Sequence, residues 1–217
     1  MKKNILVVDV GGTNVKILAS GQKVVRKLPS GPGLTPSRMA SGVRRLAAGW
    51  KYDALAIGFP GPVAAGRPLA EPKNLARGWV KFDYAKAFGK PVKMINDAAM
   101  QALGSFQGGR MLFLGLGTGL GSALVSDGAV SPLELAHLPY KKGRTFEDYL
   151  GLRGLERLGK KKWTKAVHDA AERLRAAMQA DYIVLGGGNA KKLKRLPPGT
   201  RLGANSNAFL GGFRLWA

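Results

Sequence analysis

The sequence predicts an α/β protein of two similar lobes, and three observations predict it. Leu112 to Val125, LFLGLGTGLGSALV, is apolar, then glycine-dense at Gly115, Gly117, Gly119 and Gly121, then apolar again. Such a run reads as strand, phosphate-sized loop, strand. The same figure opens the chain, where Ile5 to Val10 leads into Gly11-Gly12-Thr13 and Val15 to Ala19 resumes a strand-like pattern. Around these hairpins, strand-length apolar runs alternate with segments of helical period, which is the α/β pattern. At 217 residues the chain accommodates two lobes of about 100 residues, each with its own core. The expected division is 1–107 and 108–217, with ligands at the C-terminal ends of strands in a cleft between the lobes.

The glycine loops are not familiar nucleotide fingerprints. A dinucleotide loop needs G-x-G-x-x-G between a strand and a helix. Gly117-Thr118-Gly119-Leu120-Gly121 has other spacing, and Ser122-Ala123-Leu124-Val125 after it does not start a helix. No G-x-x-x-x-G-K-[ST] loop exists. What remains is a turn whose residues without Cβ let backbone N–H groups approach an anion. A glycine hairpin with no ligand is the bland alternative, and the second matched copy counts against it.

Taken in order, Lys23 to Leu28 predicts a further strand and Pro29 to Pro36 a Pro/Gly/Ser loop. Ser37 to Trp50 carries Met39, Val43, Leu46 and Ala47 at helical spacing, with Thr35 or Ser37 as cap. Asp53 to Phe59 is a buried strand ending in the Pro60-Gly61-Pro62 turn, and residues 63–79 form loop and hairpin. Phe82 to Phe88 is a short helix. Pro91 to Ile95 is a strand that delivers Asn96-Asp97 to its end, before a helix over Ala98 to Phe106. Beyond the second glycine hairpin, Ser131 to Leu138 predicts a loop and short helix, and Thr145 to Leu158 and Thr164 to Ala180 predict helices. Tyr182 to Leu185 is a strand ending in Gly186-Gly187-Gly188, followed by a short basic helix from Ala190 to Leu196. That sequence of elements could set a helix N-terminus against phosphate or ribose.

Composition bounds the function. There are no cysteines, hence no disulfides and no thiolate zinc site. No apolar run approaches the roughly 18 residues of a membrane helix. The first apolar run enters an Asp-Gly-Gly turn without a small-residue cleavage site, so it reads as a buried strand and not a signal peptide. These features predict a soluble, cytoplasmic protein. The charge is unusual: 35 Lys+Arg against 13 Asp+Glu give +22. The excess is spread out, with 18 basic against 7 acidic residues in 1–137 and 17 against 6 in 138–217. Such a field attracts polyanions, including nucleic acid, polyphosphate, nucleotides and acidic membranes. A merely solvated basic surface explains it equally. No nucleic-acid reader motif is present, and the aromatics do not interleave with the basic clusters, so no specific nucleic-acid partner is expected.

Several segments together resemble the ROK (repressor, open reading frame, kinase) sugar kinases. They are Asp9-Val10-Gly11-Gly12-Thr13-Asn14-Val15-Lys16, Gly58-Phe59-Pro60-Gly61-Pro62-Val63, Asn74 to Trp79, Asn96-Asp97-Ala98 and Leu116 to Gly121. Glu134-Leu135-Ala136-His137, Glu147-Asp148-Tyr149 and Gly186-Gly187-Gly188 complete the set. Each is weak alone; the ordered set spans nearly the whole chain. The resemblance, nearest to the short polyphosphate-glucokinase-type members, implies a two-lobed actin-like ATPase (ribonuclease H-like) fold with a central cleft. It implies a homodimer too. Departures are clear. The family's zinc-binding cysteine cluster is missing, so no structural zinc is expected. Ala136 stands where the family usually has Gly, and Gly143 to Tyr182 is shorter than in full-length members. The helix-turn-helix of the family's repressors is absent ahead of the first strand.

The roles implied match what sugar phosphorylation needs: a base for the hydroxyl proton, a cradle for the phosphoryl group and a metal to offset its charge. Asp97 is the candidate base, with a plain N-cap as its alternative role. Asp9 suits Mg²⁺, held through water. Gly11, Gly12 and Thr13, with Gly117, Thr118 and Gly119, would hold phosphate oxygens, and Gly186, Gly187 and Gly188 would complete the donor site. Lys16 fits either a phosphate contact or an exposed strand position. Glu134, His137 and Glu147 would accept hydrogen bonds from sugar hydroxyls, with Gly61, Asn74, Asn96 and Asp97 completing the ring contacts. His168, on an amphipathic helix, reads as structural. Arg144, Lys160, Lys161, Lys162, Lys191, Lys192 and Lys194 either track a polyphosphate chain or merely solvate helix faces. The expected activity is phosphorylation of the 6-hydroxyl of glucose or a close hexose, with Mg²⁺, from inorganic polyphosphate or ATP. An ATP-only hexose kinase is one alternative, and a non-catalytic sugar- or polyanion-binding protein on the same fold is another.

Overall fold

The computed structural model describes residues 3–217. They form two compact units, one running to Met100 and including Ala208–Ala217, the other Gln101–Asn207. The last ten residues thus return to the first unit, whereas the sequence places the division between 107 and 108. Among the described residues no helix is long and apolar enough to cross a membrane.

The first unit is built on a five-stranded sheet of order β3-β2-β1-β4-β7. Strands β1 (Ile5–Val10), β2 (Asn14–Ala19) and β3 (Arg26–Pro29) are antiparallel, while β4 (Ala54–Phe59) and β7 (Val92–Asn96) continue from β1 in parallel. A two-strand hairpin, β5 (Val63–Ala64) with β6 (Arg67–Pro68), lies in the expected loop-and-hairpin region. The period-2 alternation of strands decides which face each residue takes. In β4 the large residues Leu55, Ile57 and Phe59 point into one core with Met39 and Val43 of α1 (Pro36–Leu46) and Phe88 of α2 (Tyr84–Phe88). The small ones, Ala54, Ala56 and Gly58, face the other way. There they meet Met100 of α3 (Asp97–Ser105), together with Ala208 and Phe209. A Cβ on Gly58 would stand 2.3 Å from Met100 Cε, so the missing side chain lets α3 lie close to the strand. Thr35 caps α1 by accepting the Arg38 N–H at 3.3 Å, with Pro36 beginning the helix. Asp83 caps α2, and Gly89, at φ 62°, ends it.

The second unit repeats the plan, with sheet order β10-β9-β8-β13-β14. Here β8 (Arg110–Leu116), β9 (Leu120–Ser126) and β10 (Ala129–Leu133) are antiparallel, and β13 (Tyr182–Gly186) and β14 (Thr200–Leu202) run parallel to β8. Leu112, Leu114 and Leu116 of β8 and Ile183 and Leu185 of β13 share one core with Trp163, Val167, Ala170, Ala171 and Leu174. Those last five lie on α5 (Leu152–Ala177), which is helical on both sides of Gly159 but broken there at φ 70°, ψ 159°. The expected helix over Thr145 to Leu158 is instead two pieces divided at Gly151, and the expected second helix begins just after the Gly159 break, ahead of Thr164. Ahead of α5, α4 (Phe146–Leu150) begins in a Thr145–Asp148 capping box. The hairpin β11 (Pro139–Lys141) with β12 (Arg144–Thr145) is tied to α5 through Tyr140, which donates to Asp169 Oδ2 at 2.5 Å, and through the Lys141–Asp169 ion pair at 3.1 Å.

Two expectations are corrected, and one stretch without an expected element gains two. Gly186-Gly187-Gly188 leads not into a helix but into a single 3-10 turn, Ala190–Lys192, too short to offer a helix dipole. Ser131 to Leu133 belong to β10, with only Leu135–His137 forming a 3-10 turn. Residues after Leu196, given no element from sequence, hold β14 and α6 (Asn207–Arg214).

Candidate functional site

In the first unit the expected residues gather at the C-terminal ends of β1, β4 and β7. Asp9 lies one residue before the end of β1, on the face that carries Val7 and not on the Val8 and Val10 face, and pairs in register with Gly58 of β4. The loop after β1 closes on a Gly11 N–H to Asn14 C=O bond of 3.0 Å. Ser30 braces that loop: its N–H donates to Thr13 C=O at 2.9 Å and its hydroxyl to Gly11 C=O at 2.5 Å. Asn74 is brought to the same loop, its Cβ 3.6 Å from where a Cβ on Gly12 would be. At the end of β7, Asn96 donates from Nδ2 to Gly61 C=O at 3.1 Å and accepts the Ala99 N–H at 3.1 Å.

That second bond bears on the capping role open to Asp97. Asn96 does the N-capping of α3, so Asp97 is the first helical residue and is not needed as the cap. Its carboxylate accepts a local bond from the Ala98 N–H at 2.8 Å. Burial raises the Asp97 carboxyl to about 7, and the negative charge of Asp9 pushes the same way. Asp9 is itself raised by burial, with Lys16 acting against that. Lys16 Nζ stands 3.9 Å from Asp9 Oδ2 with 39% of its side chain exposed, so it is both a strand residue facing solvent and a weak partner of Asp9.

In the second unit two glycine turns meet. The Leu116–Leu120 pair of the β8–β9 hairpin is bridged by Gly117, Thr118 and Gly119, closed by the Gly117 N–H to Gly119 C=O bond of 3.1 Å. Gly187, at φ 80°, lies so close to Leu116 that a Cβ would be 2.5 Å from its carbonyl oxygen. Asn189, which is buried, joins the turns: its Nδ2 donates to Gly117 C=O at 2.9 Å and its N–H to Leu116 C=O at 2.9 Å. Glu147 reaches the same hairpin. Its Oε2 accepts the Leu120 N–H at 3.0 Å and its Oε1 faces Arg153 at 3.5 Å. Glu134 and His137 form an exposed pair at 3.7 Å. Their segment meets the start of α4 through the Phe146 N–H to Leu138 C=O bond of 3.1 Å, which brings Glu147 to the same region. His168 Nε2 lies 3.2 Å from Arg195 C=O, away from both turns.

Sequence reasoning missed Ser30, Glu71, Arg153 and Asn189. Asn189 directly follows the glycine triplet and could have been found; the other three act on backbone or on another side chain and leave no motif. Among the described residues no three His, Asp or Glu side chains gather as a ready metal site. Asp9, a carboxylate near the end of β1 beside the Gly11–Thr13 loop, does fit a hydrated Mg²⁺, which needs only one or two carboxylates.

No family model matches the chain. It is 26% identical over 218 residues to the polyphosphate glucokinase of Mycobacterium tuberculosis (strain H37Rv), covering 88% of this chain and 80% of that protein. Identity to the glucokinase of Pyrobaculum calidifontis is also 26%, over 57% of this chain and 43% of that one. Among solved structures, the inorganic polyphosphate/ATP-glucomannokinase of Arthrobacter sp. strain KM superposes with a TM-score of 0.81 at 22% identity, covering 98% and 97% of the two chains. A ROK family glucokinase from Streptomyces griseus, in complex with glucose and AMPPNP, gives 0.74 at 16% identity over 98% and 99%. The chain thus has the α/β, actin-like ATPase fold of ROK-family sugar kinases, as the motifs imply. Its sequence is similar to polyphosphate glucokinases over most of its length.

Proposed function

We propose that this chain is a hexose kinase that transfers a phosphoryl group from inorganic polyphosphate or ATP to the 6-hydroxyl of glucose or a close hexose. The observation that carries this reading is Asp97: a carboxylate at a strand end, released from capping by Asn96, beside Asp9 and the Gly11–Thr13 loop. As the O6–H attacks, its proton passes to an Asp97 carboxylate oxygen while the phosphoryl bond to the donor breaks, leaving ADP or a polyphosphate shorter by one unit. The backbone N–H groups of Gly11, Gly12 and Thr13, and those of Gly117, Thr118 and Gly119, are assigned to phosphate oxygens, with Gly186, Gly187 and Gly188 supporting the donor. Asp9 would hold Mg²⁺ through water, and the ion would offset donor charge. Gly61, Asn74, Asn96, Glu134, His137 and Glu147 are assigned to the sugar. Polyphosphate is favoured as donor by the +22 charge and by the relatives' names. On the resemblance, the chain works in the cytoplasm as a homodimer.

A coupled assay for glucose 6-phosphate, with Mg²⁺ and glucose, comparing polyphosphate with ATP, tests the reading. Turnover with polyphosphate ties the surface charge to the donor. Turnover with ATP alone keeps the kinase and makes the charge a property of the surface only. No turnover with either across several hexoses would replace catalysis by sugar or polyanion binding.

The Glu147 contact gives a sharper expectation. A methyl at Gly119 would stand 2.3 Å from Glu147 Oε2, so Gly119→Ala must drive the carboxylate off the Leu120 N–H. Loss of that charge-assisted bond is expected to weaken glucose binding about tenfold by calorimetry. Unchanged affinity would show that Glu147 does not serve the sugar.

A further inference from the structure

Glu71 lies outside every motif above, yet its carboxylate is bound by three successive backbone N–H groups. Oε2 accepts from Gly78 and from Trp79, each at 3.0 Å, and Oε1 accepts from Val80 at 3.4 Å. These bonds close residues 71–80 into a loop whose two ends are held by one side chain. The loop contains Asn74, placed against Gly12.

Other forces act on this loop as well: Leu75, next to Asn74, is buried in the core of the first unit, and its N–H reaches Pro72 C=O at 3.5 Å. Trp79 is fully buried and packs on Phe59 at 5.8 Å between ring centroids, but its indole N–H has no hydrogen-bond partner among the described residues. It therefore anchors by shape alone and sets no register. Tyr84 donates its hydroxyl to Trp79 C=O at 2.9 Å, and the Ala76 N–H reaches Leu34 C=O at 3.3 Å. Gly78, at φ 103°, provides the turn that points its own and the next two N–H groups toward one acceptor. Among the described residues, it is the Glu71 side chain whose bonds tie the start of the loop to its end, with Asn74 between them.

We infer that Glu71 is a positioning residue for hexose binding: it clamps the 71–80 loop and so holds Asn74 beside the Gly11–Thr13 turn. The inference rests on the assignment of Asn74 to the sugar made above. A carboxylate filling a nest of N–H groups has the strength of charge-assisted bonds and leaves the loop preorganised before sugar arrives. Without it, binding would have to order the loop.

The test uses the whole chain with D-glucose as probe, measuring backbone amide exchange at residues 78–80 and glucose affinity by calorimetry. Glu71→Ala is expected to speed exchange at those amides and weaken glucose about tenfold, with kcat at saturating glucose nearly kept, because the clamp orders the site and does not touch reacting atoms. Glu71→Gln, which keeps an acceptor of the same reach without the charge, is expected to fall between the two. A fold defect would lower kcat as well and would not be relieved by Gln. Exchange unchanged in Glu71→Ala would overturn the clamp. Affinity sensitive to Asn74→Ala but not to Glu71→Ala would overturn the positioning role alone. Affinity indifferent to Asn74→Ala would remove the assignment of Asn74 to the sugar, and the proposal with it.

Discussion

Asp97→Asn is expected to lower kcat by roughly 10²- to 10⁴-fold, the range for losing a general base, while leaving glucose affinity within about twofold. Asn is nearly the same shape and still accepts a hydrogen bond from the sugar, but it cannot take the proton. Because Asn96 and not Asp97 accepts the Ala99 N–H, the substitution leaves the α3 cap in place, so a fall in rate would not come from a frayed helix. Calorimetry and the coupled assay separate the two effects. A variant that turns over at the parent rate would show that Asp97 is not the base.

The same residue makes a statement about stability whose sign can be worked out. Burial, and then the charge of Asp9, raise the folded carboxyl from 3.8 to about 7. A raised carboxyl means that the folded state holds a proton which the unfolded state has already lost. The Asp97 contribution is therefore fully present below the unfolded pKa and is lost as pH rises toward about 7. In metal-free protein, Asp97→Asn should raise the unfolding temperature at pH 8 and change it little near pH 4. A variant less stable than the parent at pH 8 would mean that the buried charge is better compensated than the structure indicates.

Much of this arrangement is legible in the sequence because it is local. The β1–β2 and β8–β9 hairpins need only a period-2 apolar run, glycines and a second run, and both form where expected. The strand that delivers Asn96-Asp97 is equally plain. What escapes is whatever depends on a distant partner. α6 contains Gly211-Gly212, and glycine inside a helix costs about 1 kcal/mol against alanine, so the sequence offers no sign of a helix there. It is helical because Gly212 lies against β1, where a Cβ would come within 2.4 Å of Val7 Cγ1. Packing overrides propensity there. The choice between Asn96 and Asp97 as cap is invisible for another reason: both types cap well, and only the fold decides which oxygen meets the Ala99 N–H. Glu71 is hidden because its partners are backbone groups, whose identity no sequence pattern records.

Asp9→Asn should act on two quantities in opposite directions. The Asp9 charge is the second cause of the raised Asp97 carboxyl, after burial. Removing it should move the Asp97 titration toward acid, though burial keeps it above 3.8. By proton affinity alone, more Asp97 would then be ionised at neutral pH and ready to act as base. Turnover should nevertheless fall by at least about 10²-fold, because the group assigned to Mg²⁺ is gone and the donor's charge is no longer offset. A base that is better ionised in a slower enzyme would separate the two carboxylates by role. The measurements are a carboxyl-carbon NMR titration of metal-free protein and the Mg²⁺ dependence of turnover. If the Asp97 titration stays where it is, the two carboxylates are not coupled. If the Mg²⁺ dependence survives intact, Asp9 is not what holds the ion, and the assignment of metal and base to neighbouring strand ends fails with it.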